Sequence, residues 1–81
     1  MKHARDDYNR IQDPAGLIPA DEPVFLIRAT DPLAYKMVTE YAERCMAAGC
    51  DDTHVADALD HARRVFAWQQ AFPDLVKKKP D

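Results

Sequence analysis

The sequence predicts a small α+β protein: a proline-rich N-terminal arm, one short strand, then an antiparallel pair of α-helices, completed by oligomerisation. Three observations predict it. A single unbroken apolar run, Val24-Phe25-Leu26-Ile27, lies between Pro23 and Arg28-Ala29-Thr30-Asp31-Pro32. Two stretches of helical periodicity follow, residues 33–48 and 54–72, separated by Gly49 and a short acidic connection. The chain has only 81 residues, and one of this size hides roughly 60–65% of its unfolded surface, which leaves it marginal without help.

Residues 1–12 form the arm. They are mostly polar, with Tyr8 and Ile11 as apolar anchors. Asp13-Pro14-Ala15-Gly16 has turn chemistry. Leu17 and Ile18 are expected to pack onto the core, and Pro19 and Pro23 forbid a helix between them. Four of the six prolines lie between residues 14 and 32, which stiffens this part of the chain.

Val24 to Arg28 reads as a strand buried on both faces, with Pro23 at its first position. Buried, such a strand needs a partner for its N–H and C=O groups. The candidates are the N-terminal arm and the same strand of a second subunit. The first helix has Asp31 as its cap and Pro32 at its first position. Ala34, Val38, Tyr41, Cys45 and Ala48 make its apolar stripe, widened by Leu33, Met37 and Met46, and Gly49 stops it. In the second helix Val55, Leu59, Ala62, Val65 or Phe66, and Phe72 face inward, and Pro73 ends it. Glu40–Arg44 and Asp60–Arg64 are spaced as i,i+4 pairs. Residues 13–73 thus form one domain, and residues 74–81, with Lys77-Lys78-Lys79, a polar tail.

Composition narrows the function. The net charge of −3 argues against a general nucleic-acid binder, which must neutralise many phosphates. No apolar run approaches the roughly 20 residues of a membrane helix. The polar start, Met1 to Asp7, lacks an apolar signal core, so Cys45 and Cys50 are read as free thiols in a reducing, cytoplasmic setting. Oligomerisation remains as the source of extra buried surface, most simply as a homodimer.

No catalytic constellation emerges. His54, Asp57 and His61 share a helix face, yet His54 and His61 stand about 10 Å apart along the axis and cannot all reach one ion. Cys50 precedes a helix N-terminus, which lowers a thiol pKa, and His54 is near. Asp51 and Asp52 oppose that effect, and no glycines stand by to form an oxyanion hole. No catalytic residue, metal or cofactor is expected.

What remains points to binding. Arg28, Thr30 and Asp31 stand before the first helix, where backbone N–H groups can meet an anion. Against this, Pro32 removes a donor and Asp31 supplies its own charge, so Arg28 pairing with Asp21, Glu22 or Asp31 is the plainer reading. Trp68 is a candidate interface or stacking residue, whereas Phe66, Phe72 and Tyr41 read as core. Arg28, Thr30, Asp31 and Trp68 are the candidate ligand-binding residues.

The order strand-helix-helix is similar to that of the ribbon-helix-helix family, which implies a DNA-reading dimer; here only Arg28 could reach bases. The stretch Ile18-Pro19-x-Asp21-Glu22-Pro23-Val24-Phe25-Leu26-Ile27-Arg28, followed by Asp31, resembles small uncharacterised proteins of bacteria and phages across roughly residues 8–70. That resemblance implies no activity. The expectation is a non-enzymatic homo-oligomer that sequesters a small, nucleotide-like ligand, with an acidic interaction module or inhibitor of a nucleic-acid enzyme as the alternative.

Overall fold

Gly49 organises the helical part of the fold. It has φ +76°, in the left-handed region that glycine enters without penalty. Its N–H donates to the Met46 carbonyl at 3.2 Å, and the next N–H, of Cys50, reaches back to Cys45 at 2.9 Å. That pair of bonds is a Schellman motif, which satisfies the last carbonyls of a helix and turns the chain sharply. Helix α1, Ala34–Ala47, ends there, with Arg44 in its last turn complementing the dipole. Helix α2, Asp52–Ala71, begins two residues after Cys50; its cap Asp51 accepts from the Thr53 N–H at 3.0 Å. The result is a helical hairpin, and the two helices pack together.

This computed structural model describes residues 2–5, 8 and 13–80. The expected anchor Ile11 lies outside the described residues. Before the hairpin come β1, Lys2–His3, and β2, Pro23–Val24, paired in parallel with Lys2 opposite Pro23 and His3 opposite Val24. A 3-10 turn, Pro73–Leu75, follows α2.

Several expectations need correction. The strand does not run to Arg28. Residues 25–28 make no ladder, because β1 is only two residues long and provides no further partner. Nor is the run buried on both faces: Phe25 is 75% exposed. Of the two partners expected for β2, the N-terminal arm of its own chain is the one seen, in parallel. Leu17, at 80% exposed, does not pack on the core, and Ile18 is only half-buried. The Asp13 carboxylate accepts from both of their N–H groups, at 3.2 and 3.1 Å, and holds them in a surface turn.

Helix α1 starts at Ala34, later than Pro32 suggested. Asp31 caps the turn before it, accepting from Leu33 N–H at 2.8 Å. The second helix begins earlier than expected, at Asp52, because Asp51 takes the cap. Asp60–Arg64 closes at 3.0 Å across an exposed surface, where such a pair contributes about 0.3–0.5 kcal/mol. Glu40–Arg44 makes no ion pair among the described residues.

The core is thin. Among the described residues it consists of Ala34, Ala42, Cys45, Val55, Ala62 and Val65, and no large side chain is fully buried. Tyr41, Phe66 and Phe72, expected inside, are each about half exposed. Three alanines bring the helix backbones close, but they leave little room for large side chains between them. The aromatics therefore lie beside the seam, where Tyr35 meets Phe66 at 5.3 Å and Trp68 meets Phe72 at 5.2 Å between ring centres.

Candidate functional site

The segment between β2 and α1 is the only long connection that returns to the hairpin with charged residues at a cleft, among the described residues. Arg28 to Asp31 form a turn in which the Asp31 N–H donates to the Arg28 carbonyl at 2.9 Å. A turn of this kind brings its first and fourth residues within about 7 Å. Arg28 and Asp31, three apart in sequence, are thereby set side by side.

Two long-range contacts fasten that turn. The Gln69 side-chain amide, on α2, donates to the Ala29 carbonyl at 3.0 Å and to the Asp31 carbonyl at 3.1 Å. From the other side, the Lys77 N–H donates to the Thr30 carbonyl at 2.9 Å. The chain beyond α2 thus folds back, and Lys77 is docked at the turn.

These contacts enclose a cleft of about 180 Å³. Arg28, Thr30 and Asp31 line it, together with Arg5, Tyr8 and Lys77. Three of the four candidate binding residues therefore converge. Trp68 does not join them; it is half-buried against Phe72 on α2. The expected pairing of Arg28 with Asp21, Glu22 or Asp31 is not made among the described residues, and Arg28 is exposed.

Among the described residues the cleft lining holds Arg28, Arg5 and Lys77 with one carboxylate, Asp31, beside apolar Ala4, Phe25 and Leu26. The Asp31 carboxylate accepts from the Leu33 N–H. Arg5 lies over the Tyr8 ring, 4.8 Å from its centre, and its Nη1 donates to the Tyr8 hydroxyl at 3.4 Å. A cation on an aromatic face is held in place by the ring. His3 packs edge-on against the same ring, at 6.2 Å.

Arg5 and Gln69 escaped the sequence reading; Gln69 left a signal as a polar residue seven after Ala62, on the apolar stripe of α2. Tyr8, expected as an apolar anchor of the arm, and Lys77, expected as part of a polar tail, come to the cleft only through folding.

The second chemical cluster lies at the closed end of the hairpin. Cys45 is buried and Cys50 exposed, and both are free thiols. The Cys50 thiol is pushed above its ordinary pKa, first by its hydrogen bond with Cys45 and then by burial. This is the reverse of the lowering expected from the helix N-terminus, and it makes Cys50 a poorer nucleophile at neutral pH. The Tyr41 phenol is also raised, chiefly by a hydrogen bond with Cys45. The Tyr41 hydroxyl and His54 Nε2 are hydrogen-bonded at 2.9 Å. No three His, Cys, Asp or Glu side chains among the described residues converge as a metal site. No helix of the described residues is long and apolar enough to cross a membrane.

Comparison with models of protein families, with curated proteins and with solved structures gave no match for this chain.

Proposed function

We propose that this protein is a non-enzymatic, homo-oligomeric binding protein that sequesters a small anionic, nucleotide-like ligand at the Arg28 cleft. One observation carries the reading: Arg28 lines a cleft beside Thr30 and Asp31 and, among the described residues, pairs with no carboxylate. An exposed guanidinium at a cleft is suited to an anion. Thr30 and the Arg5–Tyr8 stack add a hydroxyl and an aromatic surface suited to a ribose and a base. The volume, about 180 Å³, is below the roughly 300–1,000 Å³ of self-sufficient ligand pockets. A second subunit would supply the missing wall, and Trp68 would stand in that wall or at its interface.

The finer architecture follows from the same reading. Tyr41 meets His54 and Tyr35 meets Phe66, so contact partners rise in number on α2 as they fall on α1, as antiparallel helices require. Free Cys45 and Cys50 suit a reducing cytoplasm, and the Ile18–Asp31 stretch suits an accessory protein of bacteria or phages.

Isothermal calorimetry against a panel of linear and cyclic nucleotides tests the function. Binding heat is expected with the wild-type chain. Arg28→Ala should weaken it by about tenfold to a hundredfold, the worth of a charge-assisted hydrogen bond, while circular dichroism stays unchanged. No heat with any nucleotide would refute the reading. A second reading would then lead, because Asp51, Asp52, Asp57 and Asp60 are exposed on one half of α2 and could engage a basic partner such as a nucleic-acid enzyme.

A further inference from the structure

The geometry points to Cys45 and Cys50 as an internal dithiol that an external small-molecule disulfide oxidises, closing an S–S bond across the turn between α1 and α2. The inference concerns the closed end of the hairpin and stands apart from the Arg28 cleft.

The end of α1 builds the pair. In a Schellman motif the residue after the left-handed glycine donates its N–H to a carbonyl in the last helical turn, and the side chains of those two residues commonly touch. Here they are Cys50 and Cys45, with the N–H and the carbonyl oxygen 2.9 Å apart. With standard bond lengths, that hydrogen bond keeps the two Cα atoms within about 6.8 Å. A disulfide spans Cα separations of about 4.4–6.8 Å, and beyond about 7 Å the backbone has to move. The side chains meet as well, since the Cys50 thiol is hydrogen-bonded to Cys45. Gly49 makes the reversal at φ +76°, and nothing stands within 4 Å of where its Cβ would be. Small adjustments of the turn therefore meet no neighbour at that position.

Exposure gives the two thiols different roles. Cys50 is exposed and Cys45 is buried, so the oxidant meets Cys50 first. Cys50 loses its proton to water, and its sulfur attacks one sulfur of oxidised glutathione. The S–S bond of the glutathione breaks and releases one glutathione thiolate. Cys45 then loses its proton, and its sulfur attacks the Cys50 sulfur. The mixed disulfide breaks, the second glutathione leaves, and the Cys45–Cys50 bond remains. Two cysteines are oxidised by two electrons, and one glutathione disulfide is reduced to two thiols, which take up the two protons.

The energetics favour closure. Dithiols that oxidise others strongly have low-pKa thiols, whose thiolates stabilise the reduced form. The Cys50 thiol is shifted the other way, so no stabilised thiolate resists oxidation here. The same shift slows exchange at neutral pH, so the pair responds to a sustained change in redox poise, not to a brief pulse of oxidant. The bond also has something to add. Among the described residues no large side chain is fully buried in the core, and a cross-link limits the unfolded chain where packing is thin.

Equilibration of the full chain in glutathione redox buffers, with and without denaturing urea, tests this. The samples are quenched in acid, alkylated, cut with trypsin and weighed by mass spectrometry. Cleavage after Arg44 and Arg63 leaves both cysteines in one peptide, residues 45–63. In the oxidised wild type that peptide should carry no alkyl group and weigh two hydrogens less than the reduced peptide, in a chain that is not cross-linked to another. Half-oxidation of the folded chain is expected at a ratio of oxidised glutathione to the square of reduced glutathione at least about tenfold lower than in urea, a potential about 30 mV more negative. The oxidised chain should then melt at a higher temperature than the reduced one. Cys45→Ser should stop at a glutathione adduct on Cys50. If Cys45→Ser fails to fold, the comparison of folded and urea-unfolded wild type still decides. Oxidation of the folded chain no easier than in urea would overturn the inference. So would a lasting glutathione adduct on wild-type Cys50, or a disulfide formed only between two chains.

Discussion

Gly49→Ala tests the hinge on which the helices depend. Gly49 has φ +76°, and an added Cβ would meet nothing within 4 Å. Steric crowding therefore contributes nothing, and the cost is that of holding an L-residue in the left-handed region, about 1–2 kcal/mol. Alanine also stiffens the unfolded chain, which acts in the opposite direction and offsets about 0.4–1 kcal/mol of that cost. A net loss of about 1 kcal/mol is expected. With a urea slope of about 1 kcal/mol/M for a small chain, the midpoint should fall by about 1 M. Each kcal/mol should lower Tm by about 4–8 °C in a domain of this size. Gly49→Asn should lose less than Gly49→Ala, since asparagine tolerates the left-handed region better. Urea titrations followed by circular dichroism, at one fixed protein concentration, measure both variants. Equal stability of Gly49→Ala and wild type would refute the Schellman termination, and equal losses for Ala and Asn would refute its conformational origin.

Three further variants probe other parts of the argument. Asp51→Ala removes the α2 cap and should cost about 1 kcal/mol by thermal melting, with Asp51→Ser recovering most of it. Gln69→Leu deprives the Ala29 and Asp31 carbonyls of their donor and should cost about 1–3 kcal/mol; the Asp31 amide should exchange faster with deuterium while the amides of α1 do not. Cys50 should be alkylated by iodoacetamide with a midpoint at higher pH in the folded chain than in urea, because its thiol pKa is raised by Cys45. The folded state then holds the thiol proton more tightly, so this contribution to stability is complete below the unfolded thiol's pKa and is lost as pH rises through the folded value. Faster alkylation in the folded chain at neutral pH would contradict it.

Local chemistry was legible from the residues alone. Gly49 and Pro73 stopped their helices as their backbone preferences require, and the Asp13-Pro14-Ala15-Gly16 turn formed with Gly16 at φ +62°. The α2 boundary moved because Asp51, Asp52 and Thr53 all make good caps, and spacing does not choose among them. Helical periodicity identified Ala34, Cys45, Val55 and Ala62 as inward-facing. It also placed Tyr41, Phe66 and Phe72 inside, and there it failed. Periodicity reports which face is apolar, but how much of that face another layer covers depends on the neighbours present.

Tertiary structure decided the rest. Val24 to Arg28 reads as a strand in any local window, yet a strand exists only as far as its partner extends, and β1 stops at His3. The cleft has the same origin. Arg28 and Asp31 are adjacent through their turn, which the sequence could suggest. Lys77 reaches them only because its N–H finds the Thr30 carbonyl, and Gln69 fixes the turn from a helix 38 residues away. Such long-range bonds depend on how the chain closes on itself, and no local pattern of residues encodes their partners.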